Sequence, residues 1–169
     1  GTDGALAVAF AHVLLTEGLW YKAFVGDFFD GDNRFVPGQF LDETLFEELH
    51  THGIVKWWNL ELKDKTPEWA AKITGLPAEK IIEHAREMGR AAPHSISWLG
   101  GGPCMQVRGG YAAMAVHALN GIVGGVDNVG GTQQTNKEYT SKCPKPDDFM
   151  DEIAKKGKKH KKIDHRGRL

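Results

Sequence analysis

SISWLGGGPCMQVRGGYAAMAVHALNGIVGG, residues 95–125, decides how this chain is read. An alternating apolar run meets Gly100, Gly101 and Gly102, then Pro103, Cys104 and Met105. Alternation bounded by Pro93 and Gly100 predicts a buried strand over HSISWLG. Tyr111, Ala112, Ala115, Val116, Leu119 and Ile122 predict a long helix that begins at Gly109 or Gly110. Helix, strand, glycine loop and helix in that order is the local grammar of a doubly wound α/β domain. Such a loop exposes backbone N–H groups, and the helix start after it favours an anion. The nicotinamide fingerprint GxGxxG is met at Gly100 and Gly102 but fails at Met105, and the helix starts too late for it. A phosphate loop is excluded, because no Gly-Lys-Ser/Thr follows. On these residues alone, the loop is either a ligand cradle or a tight turn between core elements.

Upstream, ALAVAFAHVLLTE (5–17) is apolar nearly all round, which predicts a buried helix. Thr2 or Asp3 supplies its N-cap and Gly18 its stop. Residues 19–29 predict a short second helix, and DGDNRFVPG a loop. Asp42 caps a predicted helix over ETLFEELHTH, with Leu45, Phe46 and Leu49 on one face. GIVKWWNLEL is the one other stretch able to supply a strand; otherwise the missing sheet lies outside the segment. Thr66-Pro67-Glu68 is a strong helix start, ended by Gly75. Pro77 opens another helix, with Ile81, Ile82, Ala85 and Met88 as its apolar stripe. After Gly124 periodicity stops, and FMDEIAKKGKKHKK predicts a weak basic helix.

The 169 residues suffice for one domain with a core, and 25% charged residues is ordinary for a soluble globular protein. A net charge of −1 gives no steering toward nucleic acid or membrane. The charge is uneven: residues 151–169 hold eight Lys/Arg against three Asp/Glu. That basic run reads as a solvated face or tail. No apolar run is long enough to span a bilayer. Cys104 and Cys143 permit one disulfide without demanding it, and no CxxC pair suggests zinc. The opening GTDGALAV, without Met, points to a piece of a longer protein.

Three further sets of residues carry chemistry. Thr2 and Asp3 stand at a buried helix start, where N–H groups hold a polar ligand edge. Asp3 repels phosphate but suits a base offering two donors, such as the guanine edge. On these residues alone, plain N-capping is the favoured reading. VDNVGGTQQTN (126–136) places Gln133, Gln134, Thr135 and Asn136 beside a Gly pair, as a polar ligand wall or a surface loop. Arg108 neutralises a phosphate or anionic substrate, or is simply a solvated helix-start residue. Cys104 and Met105 offer soft sulfur to a metal, although a lone Cys is more often packed. His12 and His117 read as satisfied core residues; His50 and His52 are poorly spaced for ligation. No catalytic triad or carboxylate pair stands out.

Taken together, GTDGALAVAFAHVLLTEGLWYKAFV, KTPEWAAKITGLPAEKIIEHARE and ISWLGGGPCMQVRGGYAAMAVHALNGIVGGVDNVGG resemble consecutive blocks of the molybdopterin oxidoreductases, the dimethyl-sulfoxide-reductase superfamily. The resemblance covers residues 1–135. It implies a helix-rich α/β fold, part of a doubly wound Rossmann-like domain of a larger catalytic subunit. Residues 136–169 would then be an irregular basic tail or linker toward a further C-terminal region. It implies molybdenum or tungsten held by two molybdopterin guanine dinucleotides, with a 4Fe-4S cluster elsewhere in the full-length protein. It implies two-electron redox or oxygen-atom transfer, an iron–sulfur electron-transfer partner and a membrane-anchor subunit. The compartment stays open between an extracytoplasmic membrane-associated complex and the cytoplasm. Thr2 and Asp3 fall where the family contacts guanine. Gly100, Gly101, Gly102, Cys104 and Met105 fall where it approaches the pterin, with Arg108 and Gln133 as further cofactor contacts. KKIDHRGRL resembles a stretch in the branch that contains thiosulfate, polysulfide, arsenate and aryl-acyl-CoA-oxidising enzymes. The protein ligand to the metal lies outside this stretch, so no catalytic or metal residue is assigned and the segment alone is expected to be inactive. The competing class is a non-catalytic binding module with the same fold segment.

Overall fold

The structure, a computed structural model, describes residues 1–134 and 144–159. The chain divides into two compact units, residues 1–134 and 135–169. In the first, helices dominate: α1 (Asp3–Thr16), α2 (Lys22–Val25), α3 (Ile54–Leu60), α4 (Pro67–Thr74), α5 (Ala78–Arg90) and α6 (Gly109–Ile122). Strands β1 (Gly26–Phe28) and β2 (Phe46–Glu48) pair antiparallel, with Phe28 opposite Phe46. Among the described residues this is the only sheet. In the second unit α7 (Glu152–Lys159) is exposed along its length, and KKIDHRGRL lies outside the described residues, as does Cys143.

α1 is the hub. Its apolar circumference packs against α4, α5 and α6, and Ala7 to Leu15 are buried except for the half-buried Phe10. That is what an all-round apolar helix requires. α4 begins as its sequence dictates: the Thr66 hydroxyl accepts from the Trp69 N–H, Pro67 takes the first turn and Gly75 ends it with φ 75°. α5 buries Ile81 and Ala85 toward α1.

Four expectations about secondary structure are corrected. Within 19–29 only Lys22–Val25 is helical, because the chain leaves α2 as β1. Asp42 does cap, accepting from the Thr44 N–H, but only a single 3-10 turn follows before β2. Tertiary packing decides this stretch. Phe28 and Phe46 meet edge to face at 4.9 Å, and Trp20 and Phe35 complete the cluster. Aromatic pairing holds a sheet too short to stand alone. GIVKWWNLEL is helix α3, not a strand. Glu48 explains it: its carboxylate accepts from the Gly53 and Ile54 N–H groups at 2.8 Å, capping α3 from a neighbouring element. HSISWLG is extended, with alternating exposure, but pairs with no strand among the described residues, and Trp98 is 81% exposed.

His12 is a core residue as expected, its Nδ1 2.6 Å from the Leu62 carbonyl and its ring stacked on Trp58. His117 is not; it lies on the exposed side of α6. Burial pushes the His12 imidazole below its ordinary value, against the Leu62 bond and the Glu68 and Asp64 carboxylates. The unfolded chain therefore takes up this proton more readily. Stability held by neutral His12 is complete above the unfolded value of about 6.5 and is lost as pH falls below it. The melting midpoint should drop between pH 7 and pH 5, and His12→Gln should flatten that slope. An unchanged slope in the variant would refute the assignment.

Candidate functional site

The glycine loop has two kinds of glycine. Gly109 opens α6 with the loop folded back on it: a Cβ there would sit 2.6 Å from the Pro103 carbonyl oxygen and 2.7 Å from that of Cys104. The loop turns through Gly102–Cys104, closes with a bond from the Gly109 N–H to the Gln106 carbonyl, and passes Arg108 at φ 63°. Gly100 and Gly102 differ. A Cβ on either meets nothing within 4 Å, and neither has a left-handed φ. This chain's own packing does not demand glycine there. What remains is bare, exposed backbone that an outside group can approach closely.

The structure brings the α1 start to this loop. Gly4 packs on Ala112, with a Cβ separation of 3.2 Å for an alanine there, and Gly1 lies against the Gln106 side chain. At the other ends, the Tyr21 N–H bonds to the Ile122 carbonyl. So α1 and α6 run parallel, and their N-terminal ends stand side by side beside the loop. Two helix starts together concentrate free N–H groups; Asp3 in the first turn of α1 offsets the positive potential there, whereas the α6 start has no acidic residue in its first turn.

Thr2 is exposed and makes no side-chain capping bond, so capping does not occupy its hydroxyl. Gly101, Cys104, Met105 and Arg108 are exposed on the loop. Among the described residues no group of three His, Cys, Asp or Glu side chains converges on a metal position. Gln133 stands apart. Its loop closes through the Asp127 carboxylate and docks at His94, whose Nδ1 is 2.7 Å from the Val129 carbonyl. That is the opposite end of the extended segment from Gly100. Thr135 and Asn136 lie outside the described residues.

Two hollows flank the α1 start. A cleft of about 760 Å³ is walled by α3 and α6 and includes Arg108, Gln106, His52, Trp57, Glu61 and Tyr111. A smaller one of about 410 Å³ takes in Asp3, Phe10, His84, Ser97 and Trp98. Arg108 and Asp3 thus face different hollows. Sequence reasoning weighed His52 only as a metal ligand and missed Trp57 and Glu61, because nothing local shows that α3 and its flanks wall a cleft.

In this helix-rich fragment the bare glycine backbone at Gly100 and Gly102 lies beside the starts of α1 and α6. Comparison with known proteins gives the family. The chain is 55% identical over 167 residues to the arsenate respiratory reductase molybdopterin-containing subunit ArrA of Chrysiogenes arsenatis, covering 99% of this chain and 20% of that protein. The ArrA of Shewanella sp. (strain ANA-3) is 51% identical over 170 residues, covering 100% of this chain and 20% of the relative. Dimethyl sulfoxide reductase DmsA of Escherichia coli (strain K12) is 38% identical over 132 residues, 78% of this chain and 16% of the relative. No protein-family model matches. The chain belongs to the molybdopterin oxidoreductases of the dimethyl-sulfoxide-reductase superfamily. It spans about a fifth of the length of the ArrA relatives.

Proposed function

We propose that this chain is the part of a molybdopterin-dependent catalytic subunit that positions its bis-molybdopterin guanine dinucleotide, in an enzyme that reduces arsenate. Similarity along 99% and 100% of this chain, at 55% and 51% identity, to two arsenate respiratory reductase subunits carries this reading. The residues present fit such a group. Open backbone at Gly100 and Gly102 admits it closely, and the start of α6 with Arg108 balances its phosphates. Asp3, in the hollow with Trp98, takes a guanine edge by accepting two hydrogen bonds. The bound group supplies the two-electron and oxygen-atom chemistry; the residues here bind, orient and neutralise. The segment alone is inactive.

The finer parts of the reading follow. Residues 95–99 serve as a strand of a doubly wound sheet completed by the rest of the subunit. Ile96 and Trp98 support this, since their backbone groups find no partner among the described residues. Residues 136–169 lead toward a C-terminal region. A 4Fe-4S cluster elsewhere, an iron–sulfur partner and a membrane-anchor subunit complete the electron path, with molybdenum or tungsten at the centre.

Purified full-length protein should carry molybdenum or tungsten and release guanine-dinucleotide pterin. It should oxidise reduced viologen with arsenate faster than with thiosulfate or dimethyl sulfoxide. Protein free of both metals, from cells that load other molybdoenzymes, overturns the proposal. Asp3→Asn converts one acceptor to a donor facing the guanine edge. It should lower pterin content by about tenfold, the effect of one or two charge-assisted bonds. Wild-type content in Asp3→Asn would remove Asp3 from the site.

A further inference from the structure

We propose that Asn120 is a positioning residue for the glycine loop, setting where Gly100–Met105 meets the cofactor. The proposal rests on the cofactor reading above. Asn120 lies near the end of α6 and is 3% exposed. Its carboxamide serves one residue twice. Oδ1 accepts from the Ser97 N–H at 2.6 Å, and Nδ2 donates to the Ser97 carbonyl at 3.0 Å. That is one rung of a β-ladder, made by a side chain where no strand is present among the described residues. The Asn120 carbonyl also accepts from the Gly125 N–H at 2.8 Å. Gly125 in turn presses on the segment: a Cβ there would be 2.5 Å from the Ser95 carbonyl oxygen.

The glycine loop therefore has two anchors on α6. Its exit is fixed by the close packing of Gly109 under Pro103 and Cys104. Its entry is fixed by Asn120 at Ser97. No hydrogen bond to Gly100 is found among the described residues, so Ser97 is the nearest upstream backbone tie. Loss of the clasp frees the entry and leaves the part-buried Ser97 N–H and carbonyl without their partner.

Asn59 provides the control. Its amide makes the same double clasp on Leu41, at 2.8 and 2.7 Å, in the core at α3, and neither residue lines the cleft that Arg108 faces. Asn120→Leu and Asn59→Leu remove equivalent bonds. In full-length protein both should lower the melting midpoint. Only Asn120→Leu should lower the molybdenum-to-protein and pterin-to-protein ratios, by about tenfold, and quicken tryptic cleavage after Arg108. Should the leucine variants fail to fold, Asn120→Ser and Asn59→Ser carry the same comparison. Equal cofactor content in the two variants, whether both low or both normal, overturns the proposal. Wild-type protein without molybdopterin overturns the cofactor reading itself, and this inference with it.

Discussion

Gly26→Ala is expected to cost about 3 kcal/mol or more, the sum of a left-handed backbone strain and an overpacked contact. Gly26 opens β1 with φ 105°, where an L side chain is strained, and its Cβ would lie 1.8 Å from the Glu47 carbonyl oxygen. That oxygen belongs to the paired strand, so relief means moving β2 away. The Gly26 carbonyl also accepts from the Trp20 indole N–H at 2.9 Å. Parting the strands thus disturbs the Trp20–Phe28–Phe35–Phe46 cluster and the Glu48 cap on α3 together. A melting midpoint lower by about 6–12 °C is expected for a chain of this size. Thermal unfolding followed by tryptophan fluorescence checks it, and a midpoint within about 2 °C of wild type would sink the claim.

The same region shows why part of the fold was hidden in the sequence. α1, α4, α5 and α6 carry their instructions locally: an apolar circumference, Thr66-Pro67 before a stripe, glycine stops, and the Gly109 start. β1, β2 and α3 do not. The 46–48 stretch carries a helix-like pattern after a genuine cap at Asp42. It becomes a strand because Phe46 gains three aromatic neighbours there. α3 is capped by Glu48 across a turn, a signal with no fixed offset. For residues 95–99 the alternation correctly gave an extended backbone. Pairing depends on another strand, which none of the described residues provides.

The candidate site divides the same way. The loop and the α1 start each stood out by composition. Their meeting rests on Gly4 packing against Ala112, a contact more than a hundred residues apart in sequence that no motif records. Cys104 and Met105 drew attention as soft ligands, yet the structure leaves both exposed, with no convergent partners among the described residues. Asn120 drew none, because an asparagine in an apolar helix looks like a blemish until its partner is seen.

Gly109→Val and Gly100→Ala should separate what the loop needs for itself from what it offers a ligand. Gly109 has no left-handed φ, so its requirement is space alone. The atoms its Cβ would meet are backbone carbonyls of Pro103 and Cys104, which cannot rotate aside, and valine adds two more carbons. The loop must lift off the α6 start. α6 itself keeps Ala115, Val116, Leu119 and Ile122 buried, so the fold survives with a loss of about 1–3 kcal/mol. In the full-length enzyme the displaced loop should reduce bound pterin by tenfold or more, on the order of one to two such contacts. Gly100→Ala meets no atom of its own chain and should leave the melting midpoint unchanged. It should still reduce pterin content, because a methyl group then stands where the cofactor approaches bare backbone. Gly110→Ala, also unobstructed but one step inside the helix, should be neutral or stabilising by about 0.4–1 kcal/mol. Normal pterin content in Gly100→Ala beside a loss in Gly109→Val would make the loop a structural turn whose shape matters only indirectly. Losses in both, with stability affected only in Gly109→Val, are what a cofactor cradle requires.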